Sequence, residues 1–116
     1  MAVKVYLASP YSHPDPAVRQ KRFEQVCRKA ADLMYDGFHV FCPIAHTHPL
    51  TEYSTLLLNK DHEFWLEQDY TWLDMCDYVF VYKLPGWDKS YGVKAEIDRA
   101  KAKGIMVEYH ESDEGV

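Results

Sequence analysis

The chain has 116 residues, of which 47% are hydrophobic and 15% aromatic, and its formal net charge is −5. This length predicts a single domain spanning residues 1–116, and the hydrophobic content is too high for a disordered protein. The acidic balance argues against binding to a nucleic-acid polymer, because such binding normally uses a basic surface. The net charge is compatible with binding of a small nucleoside or nucleotide, because a pocket can differ in charge from the mean surface.

The cysteines and the N-terminus indicate a cytoplasmic protein. The three cysteines, Cys27, Cys42 and Cys76, are scattered and lie in apolar stretches, which favours buried, reduced thiols. No apolar run approaches the roughly 20 residues of a membrane span. The first residues begin a strand at once and leave no room for a signal peptide. We therefore expect no membrane partner.

The first half of the chain alternates strands and helices. Residues 3–8 (VKVYLA) predict a strand, and the proline-rich residues 9–16 predict a loop. Apolar residues at helical spacing predict a helix over 17–35, with Arg19 on its solvent side. A second strand is expected at 38–42. Residues 44–58 have no clean period, which predicts a long loop with at most one helical turn, of the kind that often forms a lid.

The second half continues the alternation. Asp61 is the expected N-cap of a helix that runs to about Met75. Residues 78–82 (YVFVY) are a continuous run of β-formers, typical of a strand covered on both faces. Pro and Gly in residues 84–89 predict a turn, and Ser90 is the expected N-cap of the next helix.

The last helix is predicted to face the core through Val93, Ile97 and Ala100 and to end at Gly104. A fourth strand is expected over 105–109. The acidic residues 110–116 are expected to fray unless a partner subunit holds them.

This order of elements predicts an α/β fold. Strands joined by helical crossovers form a parallel sheet with helices on both faces, here a single-domain, three-layer, Rossmann/flavodoxin-like arrangement with strand order 2-1-3-4. Strands one and three then flank the switch point. The loop after strand one and the turn after strand three should face each other across a ligand-binding crevice.

The residues expected at this crevice suit glycosidic chemistry. They include two carboxylates, Asp69 and Glu96, together with the phenol of Tyr6 and several hydroxyl groups. The chain has no G-x-G-x-x-G dinucleotide fingerprint, no P-loop and no G-x-S-x-G elbow. Paired carboxylates without a metal motif can stabilise or attack an oxocarbenium-like sugar while an acid assists the leaving group.

Three segments resemble one family. They are Val5-Tyr6-Leu7-Ala8-Ser9-Pro10, then Asp69-x-x-Trp72-Leu73-x-x-Cys76-Asp77, then Ser90-Tyr91-Gly92-Val93-x-x-Glu96-Ile97-x-x-Ala100. In this order they resemble the nucleoside 2-deoxyribosyltransferase family, which includes the 2'-deoxynucleoside 5'-phosphate N-hydrolases. The resemblance spans nearly the whole chain. It implies cleavage or transfer of an N-glycosidic bond without a cofactor, in a homo-oligomer.

The resemblance also implies roles for individual residues. It makes Glu96 the nucleophile that forms a glycosyl enzyme, places Asp69 against the reacting nucleoside, and places Tyr6 beside the nucleophile. Ser90 and the helix N-terminus at Gly92 would bind a sugar hydroxyl or a 5'-phosphate, since helix dipoles favour anions.

Two segments depart from the family pattern. The loop after strand one lacks the Gly/Arg-rich sequence of the phosphate-binding hydrolases, so a monophosphate would be held by Ser9, Ser12, Ser90, and His13 or Arg19. The turn after strand three is longer than usual. In that turn Trp87 is a candidate for stacking on a base, and Asp88 for binding a sugar hydroxyl.

Plainer interpretations stand beside these roles. Glu96 could be an exposed helix residue paired with Lys94 or Arg99, and Asp69 a solvated one. Tyr6 could be a core aromatic and Ser90 only an N-cap. The larger aromatic residues are expected in the core, namely Trp65, Trp72, Tyr78, Phe80 and Tyr82.

Two other functions are open. The same crevice could belong to a non-catalytic nucleotide sensor. Alternatively, Cys42, His46 and His48 could form the zinc site of a hydrolase, although this spacing is common by chance and we expect no metal. His46 and His48 more simply shape a lid over the pocket.

Overall fold

The computed structural model describes residues 2–112 and contains a four-stranded, all-parallel sheet in the order β2-β1-β3-β4. This confirms the predicted α/β fold class and strand order. The strands are β1 (Lys4–Ala8), β2 (His39–Phe41), β3 (Tyr78–Lys83) and β4 (Met106–Glu111). The helices are α1 (Pro16–Tyr35), α2 (Pro43–Thr51), α3 (Thr55–Leu58), α4 (His62–Leu73) and α5 (Tyr91–Ala102), with a 3₁₀ turn at Trp87–Lys89.

Alternation along the central strands gives the sheet two apolar faces. Val5 and Leu7 of β1 pack on one face in a cluster with α1, whereas Tyr6 and Ala8 pack on the other face with α4 and α5. Successive side chains of a strand point to opposite faces, so a strand that is apolar throughout needs a helical layer on each side. The Tyr6 side chain is thereby directed toward α5.

Side-chain caps set where the helices begin. Asp61 Oδ1 accepts a hydrogen bond from the Phe64 backbone N–H at 3.0 Å, and Ser90 Oγ accepts one from Val93 at 3.2 Å. Both predicted N-caps are confirmed. An N-cap side chain satisfies one of the free N–H groups of the first turn. The position of Ser90 therefore fixes where the N-terminus of α5 lies.

The predicted loop over 44–58 is wrong, because most of this segment is helical in α2 and α3. Pro43 occupies the first turn of α2, where its fixed φ and missing N–H are tolerated. Pro49 lies inside the same helix, close to its end. The two prolines and the lack of an apolar period hide a short helix from pattern analysis.

The predicted fraying of the chain end is also wrong where the structure describes it. His110 and Glu111 belong to β4, pair in register with Tyr82 and Lys83, and the His110 ring stacks on Phe80 at 4.3 Å between centroids. Residues 113–116 of the predicted tail lie outside the described residues.

The core prediction holds for Phe80 and Tyr82, which are buried, and fails for Trp72, which is 42% exposed. The Trp72 ring stacks on Phe41 at the side of the sheet, with ring centroids 5.5 Å apart. Within residues 2–112, no helix combines the length and apolar character needed to cross a membrane.

Candidate active site

A cavity of about 870 Å³ opens at the carboxyl edge of the sheet. Its wall is formed by the loop after β1, the first turns of α1, the inner side of α2, the start of α4 and the N-terminus of α5. This is the switch point of the sheet, since β1 pairs with β2 on one side and with β3 on the other.

A buried pair lies at the base of this cavity. Tyr6 is fully buried and Glu96 is 5% exposed, and the Tyr6 hydroxyl donates a hydrogen bond to Glu96 Oε2. Glu96 also forms part of the cavity wall. The interpretation of Glu96 as a surface ion-pair residue is therefore wrong.

The two cations that the plainer interpretation paired with Glu96 have other partners. Lys94 Nζ lies 3.5 Å from Asp98, and Arg99 binds Asp74 through two nitrogens, at 3.0 and 2.6 Å. These contacts lie on the outer side of α5. Glu96 thus faces the cavity with a phenol as its hydrogen-bond donor.

Burial dominates the electrostatics of the site. Desolvation raises the pKa of Glu96 to about 8. The hydrogen bond from Tyr6 lowers this pKa, and the nearby Asp69 charge raises it. Desolvation likewise raises the pKa of Asp69 to about 7, again against the effect of Tyr6. Burial and the neighbouring carboxylates raise the pKa of Tyr6 well above its usual value. These three side chains interact as one group, as expected from the sequence.

The N-terminus of α5 forms another part of the wall. Ser90 and Gly92 both line the cavity, and the Ser90 oxygen caps the helix. A Cβ atom added at Gly92 would have only Ser90 Oγ nearby, at 4.0 Å, so the backbone here is open to a ligand. Free N–H groups at a helix N-terminus favour an anion or a polar oxygen.

Ser9 directly follows β1 and lines the cavity. The residue is 6% exposed, and its Oγ has no hydrogen-bond partner among the described residues. A buried hydroxyl group without a partner is uncommon, because the unmade hydrogen bond costs free energy. This observation is consistent with the predicted contact between Ser9 and a substrate.

Two predicted substrate-binding residues lie outside the cavity wall. The Trp87 ring packs against Tyr109 of β4, with centroids 5.7 Å apart, and lies beneath the Lys83 ammonium group at 5.6 Å. Asp88 is exposed on the same 3₁₀ turn. The structure thus separates these two residues from the other predicted site residues, because the turn directs Trp87 into the core beside β4.

The candidate zinc ligands do not converge. Cys42 is buried in the α1-side core, His46 is exposed beside Phe41, and His48 faces the cavity. No group of three or more His, Cys, Asp or Glu side chains within the described part of the chain is arranged to hold a metal ion. The zinc-hydrolase alternative therefore lacks its ligand set.

Most of the cations of the cavity wall were not predicted from the sequence. Arg19, Arg22, Lys60 and Lys89 all line it, and of these only Arg19 was among the candidates for holding a monophosphate. Arg22 donates to the carbonyl oxygens of Ser12 and Pro85, at 3.0 and 3.3 Å. It therefore connects the loop after β1 to the turn after β3.

One signal for these arginines was present in the sequence. Arg19 and Arg22 are three residues apart in the first turns of α1, so they share one helix face next to the loop. The turn that Arg22 reaches contains Gly86, whose φ is +93°, and a Cβ there would lie 3.0 Å from Arg22 Nη2. A side chain at position 86 would therefore crowd the Arg22 guanidinium, which glycine avoids.

Residues 3–112 match the family described as a domain of unknown function, DUF1937. The chain belongs to the DUF1937 family. The match covers all four strands and all five helices, so the whole cavity lies within the DUF1937 domain. Comparison with curated proteins gives no significant match.

Proposed function

We propose that this DUF1937 protein is an enzyme that cleaves or exchanges the N-glycosidic bond of a (deoxy)nucleoside or nucleoside 5'-monophosphate, with Glu96 as nucleophile. The observation that carries this proposal is the buried Glu96, which faces the cavity with Tyr6 as donor and Asp69 as neighbour. Perturbed carboxylates grouped in a cleft are typical of catalytic sites. The resemblance of the three segments to nucleoside 2-deoxyribosyltransferases supports the same chemistry.

In the first step Glu96 attacks the anomeric carbon C1'. A bond forms between a Glu96 oxygen and C1', the C1'–N bond breaks, and its electron pair goes to the base nitrogen. Asp69, in its neutral form, gives the proton that the departing base needs. Tyr6 donates to the ionised form of Glu96 and so favours the reactive state.

In the second step the glycosyl ester is resolved. Water attacks C1', Glu96 leaves as a carboxylate, and the proton of the water returns to Asp69, which completes a hydrolysis. If a second base attacks instead, the result is transfer. Both outcomes retain the configuration at C1', because each consists of two displacements.

The size and charge of the cavity favour a nucleotide over a nucleoside. Its volume of about 870 Å³ falls within the roughly 300–1,000 Å³ of small-molecule sites. Its wall carries four Lys and Arg side chains, against three carboxylates at Asp61, Asp69 and Glu96, in a chain whose net charge is −5. A locally positive site with an open helix N-terminus suits a phosphate group.

The test is a chromatographic screen for free base. Purified protein is incubated with each 2'-deoxynucleoside and each 2'-deoxynucleoside 5'-monophosphate, with and without an added acceptor base. Release without acceptor indicates hydrolysis, and exchange that depends on the acceptor indicates transfer. Glu96→Gln should abolish either reaction, whereas Asp98→Asn, an exposed change on the same helix, should retain it. Full activity of Glu96→Gln would overturn the proposal.

A non-catalytic nucleotide-binding module is the second candidate. It is favoured by the raised pKa of Glu96, about 8, because a protonated carboxyl group is not a nucleophile. The two candidates differ in one result. Nucleotide binding that is unchanged by Glu96→Gln, without base release from the unmutated protein at any pH, would identify the binding module.

A further inference from the structure

A second hydrogen-bonded group lies on the α1–α2 side of the cavity. The Tyr11 hydroxyl is 2.6 Å from Nδ1 of His48, and Nε2 of the same ring is 2.9 Å from Oε1 of Gln20 and 3.2 Å from Oε1 of Glu52. Phe23 stacks on the imidazole with centroids 4.2 Å apart. His48 is 7% exposed, so both ring nitrogens and one ring face are held in place.

The partners of Nε2 determine the tautomer of His48. Gln20 Nε2 donates to Glu24 at 2.9 Å, which orients the Gln20 amide so that its oxygen faces His48. Glu52 presents a carboxylate oxygen to the same nitrogen. Both partners are acceptors, so in the neutral ring Nε2 carries the hydrogen and Nδ1 carries a lone pair. Nδ1 therefore accepts the hydrogen of Tyr11.

The Tyr11 oxygen thus faces its other neighbours with lone pairs only. Thr51 and Arg19 lie beside it, and both line the cavity as Tyr11 does. The Thr51 hydroxyl donates its hydrogen to the His48 carbonyl at 2.7 Å. Arg19 donates through Nη1 to the carbonyl of His13, and its other N–H groups face the Tyr11 oxygen as donors. The phenol is therefore arranged as a hydrogen-bond acceptor at the cavity wall.

We propose that Tyr11 contacts the substrate by accepting a hydrogen bond from an N–H or O–H group of the bound nucleoside, with His48 as the positioning residue that holds the Tyr11 hydrogen away from the cavity. This proposal takes the kind of ligand, a nucleoside or nucleotide, from the proposed function. It does not depend on the proposed reaction. The donor is either an amino or imino group of the base or a hydroxyl group of the sugar.

Calorimetry on the Glu96→Gln protein tests the contact without turnover. The probes are the four standard 2'-deoxynucleoside 5'-monophosphates. Adding Tyr11→Phe should weaken the tightest of them about 3- to 10-fold, the effect of one neutral hydrogen bond. Equal affinities with and without the Tyr11 hydroxyl would overturn the proposal.

Analogues of the tightest probe identify the donor. One analogue lacks the hydrogen-bonding N–H of the base, and the other lacks the 3'-hydroxyl of the sugar. The analogue without the true donor should bind equally well to the proteins with and without Tyr11→Phe, whereas the other should retain the difference. A difference that persists with both analogues would overturn the assignment of Tyr11 as an acceptor.

Two variants of His48 test its positioning role. His48→Phe keeps an aromatic ring beside Phe23 but removes the acceptor, so its affinity should fall to that of Tyr11→Phe, and the double variant should bind no more weakly than either. His48→Asn leaves an amide oxygen near the position of Nδ1 and should restore most of the affinity. Additive losses in the double variant would contradict a shared role.

Imidazole ¹⁵N spectra test the tautomer without any ligand. At a pH where the ring is neutral, the His48 signal, assigned by its loss in His48→Asn, should have the pattern of an Nε2–H tautomer, and Tyr11→Phe should shift its Nδ1 resonance. An Nδ1–H tautomer would overturn the proposal, since Tyr11 would then accept from His48 and present its hydrogen to the cavity. If the unmutated protein releases base but Tyr11→Phe leaves the affinity unchanged, only this proposal is refuted. If Tyr11→Phe weakens binding but the unmutated protein releases no base, only the proposed reaction is refuted.

Discussion

Ninety positions separate Tyr6 from Glu96 in the chain, and the Tyr6 hydroxyl donates a hydrogen bond to Glu96 Oε2 in the interior of the protein. The bond joins the central strand β1 to helix α5 at the base of the cavity. A buried carboxyl group costs free energy when it is ionised, and a single phenol offsets only part of that cost. This relationship determines how stability and activity should depend on pH.

The stability of the protein should fall as the pH rises from about 5 to about 8. Burial raises the folded-state pKa of Glu96 from its usual 4.5 to about 8, so in this range the folded state binds more protons than the unfolded state. Glu96→Gln has no proton to lose and should reduce this loss by on the order of 3 kcal/mol. The measurement is the free energy of unfolding in urea at both pH values.

Asp98→Asn is the control for this experiment, because Asp98 is exposed on the same helix. Its stability should follow that of the unmutated protein across the range. Asp69, whose pKa burial raises to about 7, should leave a smaller dependence of the same sign in Glu96→Gln. A Glu96→Gln protein with the pH dependence of the unmutated chain would refute the buried acid.

The pH profile of kcat/KM should be bell-shaped, because Glu96 must be ionised to attack and Asp69 must be neutral to donate a proton. Tyr6→Phe removes the hydrogen bond that favours the ionised form of Glu96. The hydrogen bonding of Tyr6 lowers the pKa of Asp69, about 7, as well as that of Glu96, about 8, so the acidic limb follows Asp69 and the basic limb follows Glu96. Tyr6→Phe should therefore move both limbs of the profile to higher pH and lower the rate at neutral pH about tenfold. A lower rate with both limbs unmoved would exclude this role for Tyr6.

Gly92→Ala should impair binding without loss of stability. The added methyl group meets no atom closer than Ser90 Oγ at 4.0 Å, and Ala is the better helix former by up to about 1 kcal/mol. The methyl group would nevertheless stand at the helix N-terminus that lines the cavity. We expect an unchanged or higher Tm and weaker affinity for the tightest 2'-deoxynucleoside 5'-monophosphate.

Ser90→Ala is the matched contrast, since it removes the α5 cap and should cost about 0.5–2 kcal/mol of stability. Its Tm should therefore fall, unlike that of Gly92→Ala. If Gly92→Ala binds the monophosphate as tightly as the unmutated protein, the ligand does not approach this helix end.

Trp87→Phe should leave KM unchanged, because the Trp87 ring packs beside Tyr109, away from the cavity wall. Trp65→Phe is the comparison, since Trp65 lines the cavity, and it should raise KM severalfold. Steady-state base release from the best substrate provides both values. The reverse pattern would restore the stacking role first inferred for Trp87.

The parts of the fold that sequence predicts well are those governed by local rules. The apolar run of β3 requires cover on both faces, and Asp61 and Ser90 each supply a cap that starts a helix. Helix α2 escapes these rules because its apolar residues face both α1 and the cavity and therefore have no single period. The lid expected there is a helical wall.

The limits of prediction at the site have a similar origin. Tyr6 and Glu96 could be assigned to one crevice because the end of β1 and the turn into α5 share one edge of the sheet, and the family resemblance implied the roles that join them to Asp69. The direction of Trp87 depends on a turn with a positive φ at Gly86, and the contact between Tyr11 and His48 depends on the unpredicted helix α2. No local sequence pattern predicts the direction of Trp87 or the contact between Tyr11 and His48.

The most direct test of the central claim is to look for the covalent intermediate on Glu96. The protein is mixed with the best 2'-deoxynucleoside 5'-monophosphate substrate, quenched in acid, digested and analysed by mass spectrometry. We expect an added sugar or sugar phosphate on Glu96 in the unmutated protein and in Asp98→Asn, and none in Glu96→Gln. Base release from Glu96→Gln at the rate of the unmutated protein, with no adduct on Glu96 of the unmutated protein, would contradict the role of Glu96 as nucleophile.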